Sequence, residues 1–107
     1  MNTRKYSSKQ EKYVAKKLGG KVQPNSGATP FLKGDVVLDN WVIECKTHTT
    51  DKKSVSIKKE WLDKLEQERF ALRKPNMALV FNFGPDGQNY YVITEKTFKQ
   101  LQGEQHE

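Results

Sequence analysis

The sequence contains a single cysteine, Cys45, so an internal disulfide and a zinc site built from cysteine pairs are both excluded. It also has no run of roughly 18 apolar residues, the length that a membrane-spanning helix requires, and no apolar segment typical of a secretory signal. These absences predict a soluble, intracellular protein that makes no contact with a membrane. Cys45 itself alternates with two charged neighbours, and we expect it to face the core as a small apolar residue.

Apolar residues are also sparse, at 35% of the chain against 30% charged residues. The apolar residues nevertheless fall into periodic runs, which favours a folded chain over a disordered one. With 107 residues, the length fits one domain over residues 1–107 with one modest core. The net charge of +6 and the pI of about 9.4 are compatible with a polyanionic partner, although many basic proteins bind no such partner.

The segment Gly34–Lys46 has two short apolar runs on either side of Asp39-Asn40. This pattern predicts a β-hairpin with a two-residue loop, for which Asp-Asn suits a type I′ turn. The register then places Val36 opposite Ile43 and Asp35 opposite Glu44.

Because side chains alternate between the two faces of a strand, Asp35, Glu44 and Lys46 should project from one face of the hairpin. Two opposed carboxylates repel each other, and a shared proton or a divalent cation would relieve the repulsion. A solvated face on which the two carboxylates diverge is an equally good interpretation of the pattern alone. A register shift of one residue would separate the two acids.

The N-terminal segment predicts a helix from about Ser7, or earlier, to Leu18, ended by Gly19-Gly20. Glu11 shares the apolar stripe of this helix with residues such as Val14, so its carboxylate needs a partner or a function. The alternative is a capping box in which Ser8 and Glu11 satisfy the first turn of the helix.

The remaining chain predicts further elements of an α/β domain. In order these are a possible short strand at Lys21–Val22, a loop at Gln23–Lys33, a strand or helix lead-in at Ser54–Ile57, a helix at Lys58–Leu72, a strand at Met77–Phe83, a turn at Gly84–Gly87, a strand at Asn89–Ile93 and a helix at Glu95–Leu101 with Thr94 as its cap. The predicted fold class is therefore a single-domain mixed β-sheet flanked by helices.

The order of Glu11, then Asp35, then Glu44-Cys45-Lys46 resembles the PD-(D/E)XK nuclease superfamily. The later elements, with Trp61 and Leu65 on the long helix and the strand at Tyr90-Tyr91-Val92, are similar to those of the archaeal-type Holliday junction resolvases. Gly34 stands where the motif's name calls for proline. The resemblance covers residues 5–101 and implies a restriction-endonuclease-like core.

The resemblance implies Mg²⁺-dependent hydrolysis of DNA phosphodiester bonds, with Mn²⁺ as a possible substitute. Asp35, Glu44 and the backbone carbonyl of Cys45 would hold the metal, and Glu11 would join through a water. Lys46 would orient the attacking water or stabilise charge on the phosphate; a structural ion pair with a neighbouring carboxylate is its alternative role. Ser26 would match the catalytic loop serine of the family, although a turn within the chain is the commoner role for such a serine.

A four-way DNA junction is two-fold symmetric, so this function implies a homodimer making two symmetric cuts. We expect the dimer to bury apolar residues such as Phe31, Phe81, Phe83 or Tyr91. The expected phosphate contacts come from basic residues, namely Arg4, Lys5, Lys9, Lys12, Lys33, Lys52 and Lys53. Such a protein would be cytoplasmic or associated with the nucleoid. The alternatives are another nuclease of the superfamily acting on flaps, ends or duplex DNA, and a non-catalytic nucleic-acid-binding module.

Overall fold

A computed structural model of the protein describes residues 3–23 and 35–105, with side chains described in 9–23 and 35–103. Its elements are α1 (Thr3–Leu18), β1 (Lys21–Val22), β2 (Val36–Val37), β3 (Trp41–Lys46), α2 (Lys59–Ala71), β4 (Asn76–Phe81), β5 (Tyr90–Val92) and α3 (Glu95–Gln105). The five strands form one sheet in the order β1-β2-β3-β4-β5. Only β3 and β4 are parallel to each other, so the sheet is mixed, as predicted.

Helix α1 ends where two glycines were predicted to end it. Gly19 has a φ of 75°, a left-handed conformation that glycine adopts without steric cost. The backbone N–H of Gly20 donates to the carbonyl of Ala15 at 2.8 Å, which is the outer hydrogen bond of a Schellman motif. The predicted capping box is wrong, because the helix begins at Thr3 and both Ser8 and Glu11 lie inside it.

The β2–β3 hairpin has the predicted register. Val36 pairs with Ile43 and Val37 with Val42, while the N–H of Leu38 donates to the carbonyl of Trp41 at 3.0 Å. The predicted turn type is wrong, because a type I′ turn needs a positive φ at both central residues. Within the described part of the chain, Arg73 is the only non-glycine residue with a positive φ, so neither Asp39 nor Asn40 has one.

The sheet separates two apolar clusters, one under α1 and one under α2. The first contains Val14, Ala15, Val36, Ile43, Cys45, Ala78 and Val80. The second contains Val42, Leu65 and Leu79, with Trp61 and other half-buried residues at its border. Because alternate residues of β3 face opposite clusters, Cys45 is buried on the α1 side, as predicted, and Glu44 and Lys46 project on the α2 side.

The C-terminal half follows the predicted order of elements with shifted bounds. The Ser54–Ile57 segment is the lead-in to α2 and forms no strand. The hydroxyl of Thr94 accepts a hydrogen bond from the N–H of Thr97 at 3.1 Å, which confirms it as the cap of α3. That helix continues to Gln105 instead of ending at Leu101. None of the helices among residues 3–23 and 35–105 is long and apolar enough to cross a membrane.

Candidate active site at the hairpin

Asp35 and Glu44 meet at the open end of the β2–β3 hairpin. The register that pairs Val36 with Ile43 continues to place Asp35 opposite Glu44. Oδ2 of Asp35 accepts a hydrogen bond from the backbone N–H of Cys45 at 2.8 Å, which fixes the carboxylate beside β3. Both residues are half-buried. The hairpin register brings the predicted pair of acids together at the open end of the hairpin.

Burial is the main cause of the raised pKa of both carboxyl groups. For Asp35, the hydrogen bond from Cys45 and the positive charge of Lys46 partly oppose the increase. For Glu44, the negative charge of Asp35 raises the pKa further, whereas Lys46 lowers it. Ionisation of both carboxyl groups is therefore unfavourable in the folded chain, and a bound cation would make it more favourable.

Lys46 lies between a carboxylate and an aromatic ring. Its Nζ is 3.3 Å from Oε2 of Glu44 and 4.5 Å from the centre of the Trp61 ring. A second ammonium, that of Lys58, lies 5.7 Å from the same ring. Trp61 on α2 thus contributes a cation–π contact that helps to hold the Lys46 side chain at the site.

Glu11 reaches the same region from α1. Burial raises its pKa from the ordinary value of 4.5 to about 7, and the negative charges of Asp35 and Glu44 add to the increase. Glu11 therefore lies within electrostatic range of the two hairpin acids, and its role in a metal site stays a prediction. Its neighbour Gln10 is buried and donates to the carbonyl of Lys46 at 3.0 Å, which ties α1 to the end of β3.

The Cys45 thiol is buried, and burial followed by the charges of nearby acids raises its pKa, so it stays protonated. This leaves the backbone carbonyl as the group of Cys45 that could act as a metal ligand. In an antiparallel pair of strands, the N–H and C=O of one residue point toward the same neighbouring strand. Since the Cys45 N–H points to Asp35, its carbonyl also points to the β2 side.

Glu68 on α2 is a fourth acid near the site, and the sequence analysis gave it no function. Its side chain is 0% exposed, and neither carboxylate oxygen has a hydrogen-bond partner in the part of the chain that the structure describes. Burial and the negative charge of Glu44 raise its pKa to about 7. A signal was present in the sequence, because Glu68 shares the apolar stripe of its helix with Trp61 and Leu65, just as Glu11 does on α1.

In the described ranges, no three His, Cys, Asp or Glu side chains are arranged so that they could hold one ion directly. A cation at the hairpin would therefore have two carboxylates, Asp35 and Glu44, as its direct side-chain ligands. This number is normal for Mg²⁺, which usually keeps several waters and binds one or two protein carboxylates.

The basic residues proposed to contact DNA have different surroundings. Lys12, Lys52 and Lys53 are exposed, while Lys9 forms a 2.6 Å ion pair with Asp86. Arg4 and Lys5 belong to α1, but their side chains lie outside the described part, as do Ser26 and Lys33 entirely.

Some aromatic residues predicted for a dimer interface contact each other within the chain. The rings of Phe81 and Phe83 are 5.5 Å apart, and each lies 5.7 Å from the ring of Tyr90. Tyr91 is 43% exposed, and Phe31 falls outside the described residues. Of the three residues predicted for the interface that the structure describes, Phe81, Phe83 and Tyr91, only Tyr91 is exposed.

The acids lie outside a nearby cleft of about 530 Å³ between α1 and the β4–β5 connection. That cleft is lined by residues such as Gln10, Tyr13 and Asn82, and by none of Glu11, Asp35, Glu44 or Lys46. The candidate site is therefore separate from this cleft and lies at the end of the β2–β3 pairing.

Comparison of the chain with protein-family models, with characterised proteins and with solved structures finds no match. What the site can do therefore follows from its own residues. Hard oxygen ligands, an ammonium group and a basic surface suit the binding and hydrolysis of a phosphodiester.

Proposed function

We propose that this protein is a Mg²⁺-dependent endodeoxyribonuclease of the PD-(D/E)XK type, with a restriction-endonuclease-like core. The observation that carries the proposal is the pairing of Asp35 with Glu44 across the hairpin, with Lys46 next to Glu44 on the same face. A protein that only binds nucleic acid gains nothing from opposed carboxylates facing an anionic ligand.

The residues present fit a hard divalent cation. Asp35, Glu44 and the Cys45 carbonyl would hold it, and Glu11 would contact it through a water. When bound, the cation would lower the pKa of a coordinated water and offset negative charge on the scissile phosphate. Asp35 is already oriented for this role, because its hydrogen bond to Cys45 holds one oxygen against the strand and leaves the other available.

Lys46 supplies positive charge where the phosphate would lie. Its contacts with Glu44 and Trp61 limit the positions of its Nζ, which reduces the reorganisation needed when charge develops on the phosphate. Exposed lysines, including Lys12, Lys52 and Lys53, would bind neighbouring phosphates without reading the bases.

The substrate that we favour is the four-way DNA junction, cut symmetrically by a homodimer. The basis is the net charge of +6, together with the order of elements that resembles junction resolvases. Two copies would supply the two sites that a two-fold symmetric substrate requires. The exposed Tyr91 is a candidate contact between the copies.

A cleavage assay with Mg²⁺ or Mn²⁺ on junction, flap, duplex and single-stranded DNA tests this function. Paired, symmetric nicks in the junction are the expected result. Cleavage restricted to flaps, ends or duplex would replace the junction with another nuclease substrate. Binding without cleavage under all conditions would overturn the enzymatic proposal in favour of a binding module. Sedimentation with and without junction DNA tests the dimer, and a monomer in both cases would contradict it.

A further inference from the structure

The described residues do not explain the environment of Glu68. The side chain is 0% exposed, and neither carboxylate oxygen has a hydrogen-bond donor within ranges 9–23 and 35–103. The nearest ammonium, Nζ of Lys64, is 3.9 Å from Oε1, too far for a hydrogen bond, and the Lys64 side chain is 57% exposed. Burying a carboxylate without a hydrogen-bond donor is energetically unfavourable. The donor for Glu68 must therefore come from outside the described residues.

The orientation of Glu68 indicates where that partner binds. Among the charges that act on Glu68, the strongest is that of Glu44, and Lys64, Asp35 and Lys46 follow. Glu44 projects from β3 on the side where α2 packs. Glu68 therefore faces the hairpin acids from α2, while Glu11 approaches them from α1.

The net charge of the ionisable groups at this site matches one divalent cation. Two ammonium groups, those of Lys46 and Lys64, act on the carboxylates. The four carboxylates are Glu11, Asp35, Glu44 and Glu68. If all of these groups are ionised, the excess is two negative charges, which a divalent cation balances.

We propose that Glu68 belongs to the divalent-cation site, where it accepts hydrogen bonds from waters bound to the cation held by Asp35 and Glu44. An outer position agrees with the absence of a three-carboxylate cluster among the described residues. Waters on the cation are the donors that both Glu68 oxygens lack. This inference rests on the proposed function and adds a residue of α2 to the metal site.

The test is Mn²⁺ binding to the DNA-free protein, measured by calorimetry and by the electron paramagnetic resonance of free Mn²⁺. Glu68→Gln keeps the size of the side chain and removes its charge, and we expect roughly 10–100-fold weaker binding, the usual effect of losing an outer-shell partner. The matched control is Glu60→Gln on the exposed side of the same helix, which should bind Mn²⁺ like the parent. Parent affinity in Glu68→Gln would overturn the proposal.

A second variant keeps the test informative if Glu68→Gln folds poorly. Lys64→Met removes an exposed positive charge from the site, and we expect it to bind Mn²⁺ more tightly than the parent, most clearly at low salt. Weaker binding would contradict the proposed position of the cation. Asp35→Asn tests the metal site separately from the role of Glu68. If Asp35→Asn weakens Mn²⁺ binding and Glu68→Gln does not, only the role of Glu68 is refuted. If the Asp35→Asn protein binds Mn²⁺ with parent affinity, the metal site itself is refuted.

Discussion

The carboxylate of Asp35 accepts a hydrogen bond from the backbone N–H of Cys45, although the two residues belong to opposite arms of the hairpin. The bond lies just beyond the Val36–Ile43 pair, so a side-chain oxygen is the acceptor for a backbone N–H of β3 where the described β2–β3 pairing ends. It holds Asp35 beside Glu44 in spite of their repulsion. The folded chain thus maintains a like-charge pair that a cation would stabilise.

Asp35→Asn and Glu44→Gln should each reduce Mg²⁺-dependent DNA cleavage by at least roughly 100-fold, because each removes a negatively charged ligand. Asn can still accept the hydrogen bond from Cys45, so Asp35→Asn should keep the fold. Junction binding, measured by gel shift in EDTA, should be unchanged or tighter, since a negative charge facing the phosphates has been lost. Asp39→Asn in the exposed hairpin turn is the control. Full activity in either site variant would contradict the metal assignment.

Lys46→Met should separate catalysis from metal binding. Losing the ammonium should lower cleavage by roughly 100-fold, since charge on the phosphate is no longer stabilised. Mn²⁺ affinity should be unchanged or higher, because a positive charge beside Glu44 is removed. Single-turnover cleavage and Mn²⁺ titration measure the two effects. Equal losses of cleavage and of Mn²⁺ affinity would mean that Lys46 positions the carboxylates and takes no part in the reaction. The control is Lys58→Met, which removes the more distant contact with Trp61.

The sequence predicted the hairpin register and the meeting of Asp35 with Glu44, because β-branched runs around a polar break allow few pairings. It did not predict the turn conformation, since Asp and Asn tolerate several turns and the strands decide among them. The capping box failed because the start of a helix depends on weakly patterned polar residues. The sequence analysis gave Glu68 no role although the residue shares the apolar stripe of α2, because the pattern within one helix does not show which acids of the sheet lie near it.

Asn82 connects the ends of β3 and β4, and we expect Asn82→Ala to lower the free energy of unfolding by about 1–3 kcal/mol. The buried amide bonds to the hydroxyl of Thr47 and accepts from the N–H of His48, and the backbone carbonyl of Asn82 contacts the His48 ring at 2.9 Å. Alanine would remove the side-chain partner of the Thr47 hydroxyl and of the His48 N–H, while the backbone carbonyl that contacts the His48 ring would remain. Urea unfolding measures the loss, and the exposed Gln88→Ala should cost little. Equal effects of the two substitutions would mean that the hydrogen bonds of Asn82 contribute nothing to stability.

Gly19 and Arg73, the two positive-φ residues in the described ranges, should respond to substitution in opposite directions. Gly19→Ala should destabilise the protein by about 1 kcal/mol, because φ of 75° is unfavourable for alanine. Arg73 has a φ of 56°, so Arg73→Gly should be stabilising by about 0.5 kcal/mol once the flexibility of glycine is included. Thermal and urea unfolding measure both changes. The same sign for both substitutions would show that contacts of the side chains outweigh backbone conformation.

Metal-free protein should become less stable as the pH rises from about 4.5 to 7. Burial raises the pKa of Glu11 and of Glu68 from 4.5 to about 7, so in this range the folded chain binds more protons than the unfolded chain. Stability must then fall with increasing pH, because ionisation is easier after unfolding. A loss of about 1 kcal/mol would lower the melting temperature by roughly 4–8 °C in a domain of this size. Calorimetric scans in EDTA across this range should show the decrease, and Glu68→Gln should make it shallower. Saturating Mg²⁺ should oppose it, since a bound cation offsets the charges that ionisation creates. A melting temperature that rises over the same range in EDTA would show that the pKa values of Glu11 and Glu68 are not raised in the folded protein.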